Sequence, residues 1–194
     1  MTIKIYPPEW LFPTKILMTE DTEFSNYKED LVNWLDNYKN SHETEEKSNV
    51  GGYQSPDNFY LEESFAPFMN RISEQIMISI EEYLQDKLAL PKPDQLSLSN
   101  MWFNFNYKHC YNVTHVHPGC LLAGVFWVQT VEDSEIKFEC CDVFGRSMLE
   151  NRTNEGFEPH EGQMCIFPAH MPHMVHQNQT DRTRISISFN ISWR

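Results

Sequence analysis

The sequence contains no uninterrupted apolar run approaching the roughly 18 residues that a membrane helix needs. Its opening, Met1 to Ile16, has no basic stretch leading into an apolar one, so a secretory leader is not expected. Positive charge is scarce: 15 Lys and Arg stand against 28 Asp and Glu, for a net charge of −13. A surface of that sign repels phosphate backbones, which argues against nucleic acid as the main partner. The five cysteines include the adjacent pair Cys140 and Cys141, and no two have zinc-ribbon spacing. Neither a disulfide framework nor a structural zinc is therefore expected, and a cytoplasmic chain with reduced thiols is the simplest reading. On that reading the four N-glycosylation tripeptides, beginning at Asn112, Asn151, Asn178 and Asn190, are chance matches. Internal repeats and low-complexity tracts are also missing.

Aromatic residues are plentiful, with 13 Phe, 8 Tyr and 5 Trp, and 194 residues are enough for one domain with an ordinary core. The first part, residues 1–94, reads as helical. Phe24, Tyr27, Leu31, Trp34, Leu35 and Tyr38 recur at three- and four-residue steps. Phe65, Phe68, Met69, Ile72, Ile76, Ile80, Tyr83 and Leu84 do the same, which predicts amphipathic helices over 22–40 and 61–88. The polar link between them, residues 41–60 with Gly51, Gly52 and Pro56, reads as a loop, and fold-level analogy makes its 45–60 part a candidate lid.

From residue 95 on, the period changes to two. Strands are expected near 96–107, 112–117, 122–131, 134–140, 144–149, 162–167, 173–178 and 183–193, a pattern that fits an antiparallel sandwich or jelly roll. In 184–192 one strand face carries Arg184, Ser186, Ser188, Asn190 and Ser192, and the other Ile185, Ile187, Phe189 and Ile191. In 101–107, Trp102, Asn104 and Asn106 oppose Met101, Phe103, Phe105 and Tyr107. Two arrangements satisfy this alternation. Either the polar faces meet water, or the helices cover the apolar faces and the polar faces line the interior. In the second case Arg184 is a buried cation that requires an anion.

His115 and His117 lie two apart on a strand, so both imidazoles share a face at a separation that suits one metal ion. A further histidine could come from the distant stretch 161–177, which offers His170, His173 and His176. His173, directly after Pro172, is favoured, with His176 second. His109 and His160 read as ordinary exposed residues.

The stretches "HVHPGCLLAGVFWV", "EGQMCIFPAHMPHMV" and "RTRISISFNI" together resemble the 2-oxoglutarate/Fe(II) oxygenase family of phages and bacteria, and "WLFPTKI" and "GGYQSPDNF" are loosely similar to it. The resemblance implies a double-stranded β-helix (jelly roll), mainly β, with N-terminal helices packed on one sheet. It implies Fe(II) held by His115, His117 and His173, and 2-oxoglutarate as co-substrate, its far carboxylate gripped by Arg184 and Ser186 with Asn104 nearby. His117 stands where most of that superfamily has Asp or Glu; Asp133 or Glu135 could supply the missing carboxylate. A cupin-type three-histidine dioxygenase that does not use 2-oxoglutarate, and a non-catalytic β-sandwich binding or structural protein, are the alternatives. The primary substrate, a small molecule or a peptide, is not legible in the chain, and a homodimer is compatible with it.

Overall fold

The computed structural model describes residues 14–84, 92–132, 134–139 and 154–194. Among the described residues, eleven strands form two antiparallel sheets: β1 (Leu17–Glu20), β2 (Asn49–Val50), β3 (Tyr53–Gln54), β4 (Leu96–Asn106), β5 (Tyr111–His115), β6 (Leu122–Gln129), β7 (Ile136–Glu139), β8 (Asn154–Phe157), β9 (Gln163–Pro168), β10 (His173–Val175) and β11 (Arg184–Trp193). The larger sheet runs β1-β9-β6-β11-β4-β3 and the smaller β2-β5-β10-β7-β8. This is the jelly-roll architecture expected from the strand pattern. The expected strand at 144–149 and residue Asp133 lie outside the described residues.

The helices are α1 (Lys28–Ser41) and α2 (Ala66–Leu84), each preceded by short 3-10 turns. Their apolar stripes are buried: Leu31, Leu35 and Tyr38 on α1, and Ile72, Ile76, Ile80 and Tyr83 on α2. These side chains share one core cluster with Met101, Phe103 and Phe105 of β4, Phe126 of β6, and Ile185, Ile187, Phe189 and Ile191 of β11. Each large apolar side chain buried there contributes about 1.5–3 kcal/mol relative to exposure. A second cluster fills the space between the sheets, with Val125, Trp127, Ile136, Phe138, Cys165 and Phe167 at its centre.

The structure thus decides between the two readings of the alternation. The apolar faces of β4 and β11 are covered by helices, and their polar faces turn into the roll. β11 is a central strand, paired with β4 on one side and β6 on the other. Arg184, Ser186 and Ser188 stand opposite Asn106, Asn104 and Trp102 in that register.

The 41–60 link is not simply a loop. Within it, β2 pairs with β5 of the smaller sheet and β3 with β4 of the larger, so the hairpin ties the two sheets together. Gly51, at φ 78°, makes the turn in the left-handed region that glycine tolerates. At Gly52 a Cβ would lie 2.3 Å from the Phe105 carbonyl oxygen, so only glycine fits. Asn49 then donates to Asn104 Oδ1 at 3.2 Å and accepts from Asn106 Nδ2 at 3.1 Å, which fixes the hairpin to the inner wall. A freely opening lid is incompatible with these ties.

Gly124 of β6 lies beneath the Phe189 ring, where an added Cβ would come within 2.2 Å of ring carbon Cζ. Gly124→Ala should therefore destabilise the fold by about 1–3 kcal/mol, the usual cost of overpacking. Urea unfolding should show a lower midpoint with an unchanged slope; an unchanged midpoint would mean that the helix-covered core is loosely packed.

Candidate metal centre

Strand register explains how three histidines distant in sequence meet. His115, the last residue of β5, lies opposite His173, the first residue of β10. His117 follows two residues after His115, and its backbone N–H donates to the Ala169 carbonyl at 2.8 Å, which holds the chain beside the loop that leads into β10. The ring centroids of His115 and His173 are 4.3 Å apart, and those of His117 and His173 are 5.0 Å apart and nearly parallel. One ligand-capable atom from each of the three residues lies within 4.8 Å of the others.

The tautomers follow from the hydrogen bonds. His173 Nδ1 lies 2.9 Å from the Met171 carbonyl and His115 Nδ1 2.7 Å from the Val113 carbonyl. A carbonyl can only accept, so both protons sit on Nδ1 and both Nε2 atoms carry a lone pair. His117 Nε2 lies 3.2 Å from His173 Nε2. With the His173 Nε2 as acceptor, His117 donates across that gap; its other tautomer presents a third lone pair. Two nitrogen ligands at right angles on one ion, each about 2.1 Å from it, stand about 3 Å apart, so the spacing fits a shared ion.

Burial supports the same protonation states. It lowers the His115 pKa, opposed by the hydrogen bond to Val113. It pushes His117 down to about 4, with His115 adding repulsion, and His173 down to about 3 for the same two reasons. All three rings are therefore neutral at pH 7 and do not need to lose a proton to bind a metal. Of the other candidates, His170 is exposed, and the His176 ring stays outside the cluster although its carbonyl accepts from Arg184 Nη1 at 2.9 Å. Glu135 does not join the histidines either; its carboxylate pairs with Lys137 at 3.3 Å.

A cavity of about 40 Å3 runs inward from the histidines between the sheets, lined in part by Trp102, Asn104, Arg184, Ser186 and Ser188. Arg184 is only 2% exposed. Burial lowers its pKa to about 10, which leaves it cationic at neutral pH. Among the described residues no carboxylate forms an ion pair with it, and Nη2 has no hydrogen-bond partner. A desolvated cation with an unmet donor is suited to a carboxylate ligand, which guanidinium binds bidentately. Asn104 reaches the same cavity, but its Oδ1 is already engaged by Asn49. Asn106 faces inward without lining the cavity.

Sequence reasoning missed Ser48 and Asn112, which also line the cavity and are linked by a 3.4 Å hydrogen bond. Ser48 arrives just before β2 and Asn112 on β5, the strand that pairs with β2, and only that tertiary pairing reveals them. It also missed Asn178, fully buried, whose Nδ2 donates to the Asn106 and Arg182 carbonyls and so fixes the turn that delivers Arg184. The burial of Asn112, Asn178 and Asn190 also removes three of the four glycosylation tripeptides as modification sites.

A family model described as "Putative 2OG-Fe(II) oxygenase" matches residues 100–190. No curated protein matches the sequence at a significant level. Solved structures share the fold. A Pseudomonas putida prolyl-4-hydroxylase is 13% identical, with 91% of this chain and 92% of that one covered at a TM-score of 0.59. HygX from Streptomyces hygroscopicus, crystallised with iron bound, is 12% identical over 92% of this chain and 82% of that one, at 0.63. A viral collagen prolyl hydroxylase from Paramecium Bursaria Chlorella virus-1, in complex with 2OG, is 10% identical over 91% and 94%, at 0.57. The matched segment begins in β4 and ends in β11, and so contains the three histidines and Arg184. Over residues 100–190 the chain is thus similar to the family described as putative 2OG-Fe(II) oxygenases.

Proposed function

We propose that the chain is a non-haem Fe(II)/2-oxoglutarate-dependent oxygenase of the hydroxylase type, with Fe(II) on His115, His117 and His173 and the far carboxylate of 2-oxoglutarate on Arg184 and Ser186. The observation that carries this reading is the unmet Nη2 of buried Arg184 in the same cavity as the histidines. A cupin-type dioxygenase without 2-oxoglutarate would leave that cation without a purpose, and a non-catalytic sandwich would explain neither cluster. The bound iron would couple O2-driven decarboxylation of 2-oxoglutarate, giving succinate and CO2, to hydroxylation of a substrate C–H bond.

The chain's own contribution is placement and exclusion of water. Val113 and Met171 carbonyls hold two imidazoles in the ligating tautomer. Arg184 and Ser186, on the middle strand of a six-stranded sheet, give the co-substrate a rigid anchor. Trp102 and Phe167 wall the centre, with Phe167 4.7 Å from the His173 ring. The narrow inner cavity must widen for a five-carbon dicarboxylate, and Trp102, which lines it, is the side chain best placed to report that change. A cytoplasmic setting belongs to the same reading: Cys110, Cys120 and Cys165 are unpaired, and a reducing compartment preserves Fe(II).

Three outcomes follow. Replacing buried Arg184 by Met should weaken 2-oxoglutarate binding at least about 30-fold, the cost of leaving a buried carboxylate unpaired. The ligand-free protein should keep or gain stability, because a desolvated charge is removed. Calorimetric titration and thermal unfolding read the two effects, and undiminished affinity would remove Arg184 from the site. His117→Asp should tighten Fe(II) binding by adding one negative charge to a neutral triad, measured by chelator competition; weaker binding with an intact fold would show that His117 is needed as an imidazole. 2-Oxoglutarate added to the Mn(II) form should change tryptophan fluorescence, and Trp102→Phe should abolish that change; a change that persists would assign it to another tryptophan.

A further inference from the structure

Beyond the inner cavity lies a second one, of about 420 Å3, that shares Ser48, Trp102, His115 and His117 with it. Its size is that of a small-molecule site. We propose that this outer cavity binds the primary substrate, and that the substrate is a neutral, hydroxyl-bearing small molecule of the polyol or sugar class. The inference rests on the oxygenase reading, because the cavity is a substrate site only if the ion sits in its wall.

Two unmet acceptors define the chemistry. Gln54, 1% exposed, and Asn190, 5% exposed, both line this cavity, and among the described residues Gln54 Oε1 and Asn190 Oδ1 have no donor. The orientation of the Asn190 amide is fixed by a chain of bonds. The Asp57 carboxylate can only accept, so Asn100 must turn its Nδ2 toward it, at 3.2 Å. Asn100 Oδ1 then faces Asn190 and accepts from Asn190 Nδ2 at 2.8 Å. Asn190 Oδ1 is left over as an acceptor. A buried acceptor without a donor is unfavourable, and a ligand hydroxyl relieves it.

Charge is already balanced. Among the described residues, Lys47 supplies the only Lys, Arg, Asp or Glu side chain on the cavity wall, and it lies 2.6 Å from Glu45 and 3.7 Å from Asp57. A carboxylate, phosphate or ammonium group would lose its hydration there without gaining a free counter-charge. The remaining wall is apolar, formed by Trp102, Val113, Val116 and Pro118, and matches the C–H faces of a sugar-like ring.

The test is saturation-transfer NMR on the metal-free full chain with size-matched probes: glucose, methyl glucoside and myo-inositol against glucuronate and glucosamine. Neutral probes should bind, and each of Asn190→Leu and Gln54→Leu should weaken them roughly 3- to 10-fold, the worth of one hydrogen bond. Circular dichroism checks that the variants fold, and their positions on different strands guard against a single misfolded variant. Tighter binding of the charged probes, no binding by any probe, or indifference of the neutral probes to both substitutions overturns the proposal. A separate anaerobic titration with Fe(II) and 2-oxoglutarate tests the oxygenase reading. If the visible band of the iron chelate forms but neutral probes fail, only the substrate assignment falls; if neutral probes bind but no band forms, only the oxygenase reading falls.

Discussion

A guanidinium held out of water on the central strand of a sheet constrains everything around it. Arg184 is almost fully buried, and its guanidinium donates to the His176 carbonyl. Such a group is tolerated only if the interior around it is polar. β4 and β11 meet that demand by turning Asn104, Asn106, Ser186 and Ser188 inward. Period-two geometry then sends Phe103, Phe105, Ile185, Ile187 and Phe189 outward, and these must be covered. Helices α1 and α2 cover them. The helical layer, the polar lumen and the buried Arg184 in it are three consequences of one alternation.

This coupling sets how much was legible from the chain. Alternation and helical periodicity are local properties, so both helices and seven of the eight expected strands lie where the pattern puts them, give or take a few residues. The eighth, 144–149, falls outside the described residues. The H-x-H pair was legible because same-face geometry is also local. Register brings His173, rather than His170 or His176, to the pair, since His173 is the residue that β10 places opposite His115. The very short strands β2 and β3 had no pattern to betray them. Two residues each cannot establish a period, and their identity comes from partners on two different sheets.

The same limit applies to the roles of single polar residues. Asn104 and Asn106 look equivalent in sequence, yet both are drawn to Asn49 and only Asn104 reaches the inner cavity. Asn190 acquires a free acceptor only through Asn100 and Asp57. These are properties of a hydrogen-bond network rather than of a residue type. The departure at position 117 is different in kind. It was visible from the start, and the structure gives it a physical context: a neutral triad, kept neutral by burial, facing a cation that carries the site's unbalanced charge. On the proposed function, a doubly charged co-substrate would bring negative charge to a triad that has no carboxylate of its own.

That balance is open to direct observation. An anaerobic crystal structure with Mn(II) and 2-oxoglutarate should show the ion bound to Nε2 of His115, His117 and His173, with one carboxylate of the co-substrate against Nη2 of Arg184. A structure with the ion bound elsewhere, or with 2-oxoglutarate lying away from Arg184, would contradict the account.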